Sequence, residues 1–232
     1  MLGLPPDLRS TSLLSGAGLD EVVTALGLCG GQVLLDLACG RGGYGLEIAR
    51  RSGSRVVGVD FSAVAIEQAR RRAQTLEPAN RADFHVGELT RTGLRTASVD
   101  AVLIVDSIQF AEPTLDALRE CRRVLLPGGR IVVTGWEASD DTDQRLSPRM
   151  RQLDLREQLP RAGFVNVEVT DKPAWRTAEQ ALWQKALTID AGDDLAMQSM
   201  QEEAQRVLST FDGLRRVLAT ASTPNRVHAS PA

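Results

Sequence analysis

The run Leu34-Leu35-Asp36-Leu37-Ala38-Cys39 passes directly into Gly40-Arg41-Gly42-Gly43-Tyr44-Gly45, which opens an amphipathic stretch. A buried strand that turns this tightly into a helix needs glycine, both for positive φ and for close helix–strand approach. The G-x-G-x-x-G spacing of Gly40, Gly42 and Gly45 leaves bare backbone and the partial positive end of a helix beyond the strand tip. Such a unit belongs in a sheet whose helices fold back across it.

The rest of the chain keeps that rhythm. Residues 32–37, 55–60, 82–86, 100–105 and 130–136 read as apolar strands, and 43–51 and 62–76 as helices. Ser62 caps the second of these, with Val64, Ala65, Ala69 and Ala73 turned inward. Pro113 occupies the first turn of a further helix carrying Leu115, Leu118, Val124 and Leu125 inward, and Pro127-Gly128-Gly129 is a turn. Strands apolar on both faces, alternating with helices, imply an α/β fold with a parallel sheet covered on both sides. Beyond Trp136 the pattern loosens: Asp140, Asp141 and Asp143 mark a solvated loop. A helix over 147–161 is closed by Gly163. Val165, Val167 and Val169 alternate with polar residues as in a strand with one wet face. Helices at 177–189 and 195–211 and a strand at 215–221 follow, before a polar tail.

A chain of 232 residues suits one domain. Its net charge of −3 supplies no basic field for a nucleic-acid backbone. No apolar run reaches the ~18 residues of a membrane span, and the N-terminus lacks the basic-then-apolar order of a secretory signal. Cys29, Cys39 and Cys121 are odd in number and far apart, which fits reduced thiols in a cytoplasm. Acids and histidines are scattered without metal-ligand spacing, so no metal is expected.

Asp60 ends the second predicted strand, about 20 residues past the first glycine, where a carboxylate can accept both hydroxyl protons of a ribose. The ligand is therefore expected to contain a nucleoside. Dinucleotides put a pyrophosphate on the helix end, whereas S-adenosylmethionine brings an ammonium, a carboxylate and a sulfonium. Asp36 separates the two: pointing into the loop it repels pyrophosphate and suits an ammonium. The alternative for Asp36 is a capping role within the glycine turn.

In these residues the chain resembles the class I S-adenosylmethionine-dependent methyltransferases. It is most similar to their small-molecule branch, which includes ubiquinone/menaquinone C-methyltransferases and natural-product methyltransferases. The resemblance is close over residues 19–164. It implies a Rossmann-like, doubly wound, seven-stranded sheet, mostly parallel with an antiparallel last strand. It also implies an N-terminal cap over residues 1–30 and a helical insertion at 173–211 between strands six and seven, forming part of a substrate pocket. The cofactor would be held by Asp36, Ala38, Cys39, Gly40 and Gly42 in a first motif and by Asp60 and Phe61 in a second. Gly87, Glu88 and Leu89 form a third, with Glu88 at the adenine amino group, where the family more often carries Asp. The stretch 100–110 matches the fourth strand, whose Asp106 would hold the methionine portion, with a role as general base as the alternative, and 125–130 matches the turn into the fifth.

The transfer expected is in-line displacement at the sulfonium methyl, driven by proximity. Tyr44, Gln109, Phe110, Trp136, Trp175 and Trp183 are the candidate substrate contacts, and no catalytic residue is singled out. Trp175, Ala178, Leu182, Trp183 and Ala186 share helical spacing, as do Met197, Met200, Ala204, Val207 and Leu208. His85 reads as a core histidine within the third strand, and His228 lies in the tail. The alternatives are a nicotinamide-dependent oxidoreductase, disfavoured because Tyr44 is the only tyrosine, and a catalytically silent cofactor-binding protein. A homodimer that completes the pocket is a further expectation.

Overall fold

The apolar runs pair as one seven-stranded sheet in a computed structural model that describes residues 8, 12–74 and 81–225. In chain order the strands are β1 (Val33–Leu37), β2 (Arg55–Asp60), β3 (Ala82–Val86), β4 (Val99–Val105), β5 (Leu125–Ala138), β6 (Val165–Asp171) and β7 (Leu214–Ser222). They lie in the order β3-β2-β1-β4-β5-β7-β6; β1 to β5 are parallel, and β7 runs antiparallel between β5 and β6. Winding reverses between β1 and β4, so a crevice opens at their carboxyl ends.

The two-residue period of each central strand builds two cores at once. Leu34, Val56, Ala101, Leu103 and Val132 face α1 (Gly16–Leu26), α2 (Gly43–Ser52) and α3 (Ala63–Gln74). Leu35, Val59, Val102, Ile104 and Val133 face α4 (Thr114–Val124) and α6 (Leu155–Arg161). The short α5 (Pro148–Arg151) lies against β5. Between β6 and β7 a hairpin of α7 (Pro173–Ala186) and α8 (Leu195–Leu208) folds back, with Trp175 of α7 in the core of the α1 face. No helix of the described residues is long and apolar enough to cross a membrane.

Several local expectations are corrected. The single helix over 147–161 is two, because Asp154 caps a new start, accepting from the Glu157 N–H at 3.0 Å, while Leu153 turns into the core. Pro113 is the N-cap of α4 rather than a first-turn residue. Pro127-Gly128-Gly129 stays within β5 as a bulge, where pairing jumps from Val99–Leu125 to Ala101–Arg130 and Gly128 takes φ +75°. On α3 the inward residues are Ile66, Ala69 and Ala73, and Val64 faces solvent. His85 is exposed, since β3 is an edge strand with only Phe84 buried. On α7, Ala178 is exposed, and on α8 Met200 is too, leaving Ala204 as that helix's one buried residue. The expected end of the second helix at Leu76, and His228, lie outside the described residues.

Candidate active site

The glycine turn holds its shape through unusual backbone and two buried carboxylates. Ala38, Gly40 and Gly42 take φ of +60°, +52° and +75°. A positive φ at alanine costs about 1–2 kcal/mol, a strain that clusters at ligand-binding turns. Asp60 spans the turn from β2: its Oδ2 accepts from the Gly40 N–H at 2.8 Å and its Oδ1 from the Ser62 N–H at 2.9 Å. Each oxygen keeps a lone pair for a ligand hydroxyl.

Asp36 accepts from the Gly45 N–H at 3.0 Å and is nearly fully buried beneath α2. The capping role therefore describes its position, and it does not line the cavity beyond the loop. Burial pushes its carboxyl up to about 7, against the lowering effect of the Gly45 bond. By taking the Gly45 amide, Asp36 uses one of the first-turn donors of α2 and sets a carboxylate beneath the helix end, where a pyrophosphate's charge would be disfavoured.

That cavity, about 670 Å³, opens at the carboxyl ends of β1, β2 and β4. Ala38, Gly40, Asp60, Phe61, Gly87, Glu88, Leu89 and Phe110 line it, together with Ser107. Phe61 and Phe110 are among the most exposed apolar side chains of the described residues. Cys39 and Gly42 do not line it. The Cys39 thiol turns toward the Gly40 carbonyl at 3.6 Å, and a methyl group at Gly42 would meet the Phe84 ring at 2.9 Å. Both pack the turn onto β2 and β3. At Gly40 an added Cβ meets nothing within 4 Å, so the bare backbone faces open space. A carboxylate with free lone pairs, apolar plates and a side-chain-free loop fit an adenosine.

The remaining predicted residues gather beside this cavity, around a buried charge cluster. Asp106, with φ +53° at the end of β4, receives a bidentate pair from Arg216 of β7, with Nη2 at 2.7 Å from Oδ2. It also accepts from the Thr134 hydroxyl at 2.8 Å and from the Ser12 hydroxyl. Burial raises its carboxyl, but the Arg216 charge and these donors outweigh that and hold it below the usual range. Asp106 is thus committed to Arg216 rather than free for a ligand. The Arg216 guanidinium lies 5.1 Å from the Trp136 ring centre and 5.9 Å from that of Trp175. Gln109 donates to the Asp106 carbonyl at 2.9 Å. The Tyr44 hydroxyl lies within donating reach of the Leu14 carbonyl at 3.1 Å and the Ser12 carbonyl at 3.2 Å, tying down the N-terminal segment. The Trp175 indole donates to Glu21 at 2.8 Å.

Sequence reasoning missed Arg216 and Glu179. Glu179 is buried on α7, its Oε2 3.7 Å from Arg216 Nε. The signal was present: Glu179 lies four residues after Trp175 and four before Trp183, on the stripe assigned to apolar packing. Arg216 shares its strand face with Leu214 and Leu218. Among the described residues, no group of three or more His, Cys, Asp or Glu could hold a metal ion.

Residues 34–129 match the family profile described as a methyltransferase domain. The sterol 24-C-methyltransferase ERG6 of Saccharomyces cerevisiae is 28% identical over 145 residues, 61% of this chain and 38% of that protein. A probable S-adenosylmethionine-dependent methyltransferase of Mycolicibacterium smegmatis is 31% identical over 143 residues, 59% of this chain and 53% of that one. The chain thus spans about half or less of the length of these curated relatives. Among solved structures, the [4+2]-cyclase SpnF superposes with a TM-score of 0.72 at 24% identity, covering 94% of this chain and 84% of that one. Residues 34–129 are thus similar to a methyltransferase domain, and the chain shares the fold of that solved structure.

Proposed function

We propose that the chain built around this domain transfers the methyl group of S-adenosylmethionine to a small-molecule acceptor. The observation that carries the reading is the division of labour between two carboxylates. Asp60 faces a nucleoside-sized cavity, while Asp36 takes a first-turn helix amide and sets its carboxylate where a dinucleotide's pyrophosphate would be disfavoured. In this reading Asp60 accepts the ribose hydroxyls, Glu88 and Leu89 flank the adenine, Phe61 covers it, and Ala38 and Gly40 let the ligand approach backbone. Cys39 and Gly42 shape the turn, and Gly87 keeps the cavity wall free of a side chain beside Glu88. Asp36 and Asp106 act from behind, one fixing α2 and the other holding Arg216.

The bound donor supplies an electrophilic sulfonium methyl; the protein's task is to align an acceptor with it and to exclude water. Phe110, Trp136, Trp175 and Trp183 are suited to the second task by their bulk and position. We assign residues 173–211 as a helical insertion forming one wall of the acceptor pocket and residues 1–30 as a cap. The whole is taken as one domain, a cytoplasmic enzyme that binds no nucleic acid and can pair as a homodimer. A [4+2]-cyclase of this fold is a reminder that architecture does not fix the reaction.

Calorimetric titration with S-adenosylmethionine, S-adenosylhomocysteine and NADH, repeated on Asp60→Ala, tests the reading. Micromolar binding of the first two, no binding of NADH and loss in the variant are expected. Binding of NADH in their place would make the glycine turn a pyrophosphate cradle and overturn it.

A further inference from the structure

Around Arg216 the hydrogen-bonding is incomplete in one direction only. Its two terminal nitrogens engage Asp106, but its Nε is buried without a hydrogen-bond partner, 3.7 Å from Glu179 Oε2. Trp183, one helical turn beyond Glu179, brings its buried indole N–H to the same carboxylate without closing a well-formed hydrogen bond. Gln109 Oε1 is also buried and unpartnered, its amide anchored on Asp106. A buried donor or acceptor left without a partner costs about 1–3 kcal/mol, so such a cluster calls for a ligand that supplies the missing bonds.

Its place along the sheet says which part of the reaction it serves. Asp60 ends β2, Ala38 follows β1 and Asp106 follows β4, in spatial order β2-β1-β4. A donor molecule whose ribose sits at Asp60 and whose other end extends along this edge points its reacting group toward β4 and β5. There Trp136 pairs with Arg216 across β5 and β7, and α7 lays Glu179 over Arg216. Ser107, next to Asp106, is a wall of the cavity, so the cluster begins where the cavity ends.

We propose that Glu179 is the catalytic base of methyl transfer to a hydroxyl group, a phenol or enol seated between its carboxylate and the N–H groups of Arg216 and Trp183. This rests on the methyltransferase reading above. The acceptor O–H proton passes to a Glu179 oxygen and the acceptor oxygen bonds to the methyl carbon of the sulfonium donor. The C–S bond breaks with its electron pair left on sulfur, so the products are the methyl ether and the neutral thioether. Asp106 cannot take this role, because Arg216, Thr134 and Ser12 already occupy its oxygens. Glu179 is held more loosely, with Arg216 Nε at 3.7 Å and the Trp183 indole beside it. Burial pushes it up to about 7, against the Arg216 charge and the Trp183 indole and together with the Asp106 charge. Tyr44 faces the same guanidinium from α2, while Glu21 and Lys172 meet at the far end of α7. A base near neutrality suits removal of a phenolic proton.

The test compares S-adenosylmethionine with S-adenosylhomocysteine, which differ by the methyl group and its positive charge. Calorimetry at pH 7 in phosphate and in imidazole buffer reads the protons released on binding each. A positive sulfonium about 4–6 Å from a carboxyl lowers its pKa by 1–3 units, so the first compound should release about half a proton more than the second. The excess should vanish in Glu179→Gln and persist, reduced, in Glu179→Asp, with both compounds still bound. Equal proton counts in the wild-type protein, or an excess that survives in Glu179→Gln, would overturn the assignment. Failure of both compounds to bind the wild-type protein would instead overturn the methyltransferase reading.

Discussion

Replacing Gly40 or Gly45 with alanine adds the same methyl group to the same glycine turn, yet the surroundings predict different outcomes. At Gly45 the backbone is helical, and the new Cβ would lie 2.5 Å from Asp36 Oδ2, 2.9 Å from Asp36 Cβ and 3.0 Å from a Val56 methyl. Overpacking costs ~1–3 kcal/mol, and three contacts at or under 3.0 Å place it near ~2–3 kcal/mol, from which alanine's better helix propensity recovers ~1 kcal/mol. A net loss of roughly 1–2 kcal/mol lowers Tm by ~2–8 °C in a chain of this size. At Gly40 the Cβ meets nothing within 4 Å, but φ is +52°. The left-handed strain of ~1–2 kcal/mol exceeds the ~0.4–1 kcal/mol recovered from the lost freedom of glycine in the unfolded chain, so Tm should fall by only ~2–4 °C. The methyl group instead enters the cavity that Gly40 lines, and a clash of ~1.4 kcal/mol there raises the Kd for S-adenosylmethionine tenfold. Thermal denaturation and calorimetry on both variants read the two effects separately. A Gly45→Ala protein as stable as wild type would refute the close-packing account, and a Gly40→Ala protein with native affinity would remove the ligand from this cavity.

Asp36→Asn should change how stability depends on pH. The folded carboxyl sits near 7, above its unfolded value near 3.9, so the folded state holds the proton more tightly between those values. Wild-type stability is therefore lost as pH rises through this window, by up to about 1.4 kcal/mol per unit, the reverse of the usual carboxylate trend. Urea denaturation at pH 5 and pH 8 should find the Asn variant gaining on wild type at the higher pH; parallel curves would exclude the buried acid as the source. Arg216→Met strands the Asp106 charge in the core and should cost ~3–5 kcal/mol, read as a fall in the denaturant midpoint. A loss under 1 kcal/mol would mean that Asp106 finds other compensation. Asp60→Asn keeps the Asp60 side chain's size but puts an amide where two N–H groups point, and should weaken S-adenosylmethionine by at least tenfold in the same titration.

The donor half of the site was legible because its chemistry is written in backbone requirements. Gly40 and Asp60 follow from one turn and one strand end, each set by local sequence, and both line the cavity. The acceptor half was not. Asp106 and Arg216 are 110 positions apart, and Arg216 shares a strand face with Leu214 and Leu218 just as Arg215 does with Val217 and Ala219, so the period alone leaves open which arginine turns inward. Arg216 is buried, whereas Arg215 reaches out to Asp171 and Glu137; register against β5 decides between them. His85 failed for a related reason, since an apolar-flanked residue in an edge strand looks the same in sequence as one in a central strand. Glu179 was hidden by its neighbours, as a stripe of Trp and Ala invites an apolar reading of every position on it.

The two halves also separate along the chain. Every residue that lines the cavity falls between Leu37 and Glu112, whereas Glu179 and Arg216 enter only with the last helices and the final strand. The cavity walls are therefore complete in the chain before β6 and β7 are reached, whereas the Asp106–Arg216 pair forms only when β7 takes its place between β5 and β6. The stretch that matches the methyltransferase-domain profile, 34–129, contains every residue that lines the cavity and neither Glu179 nor Arg216.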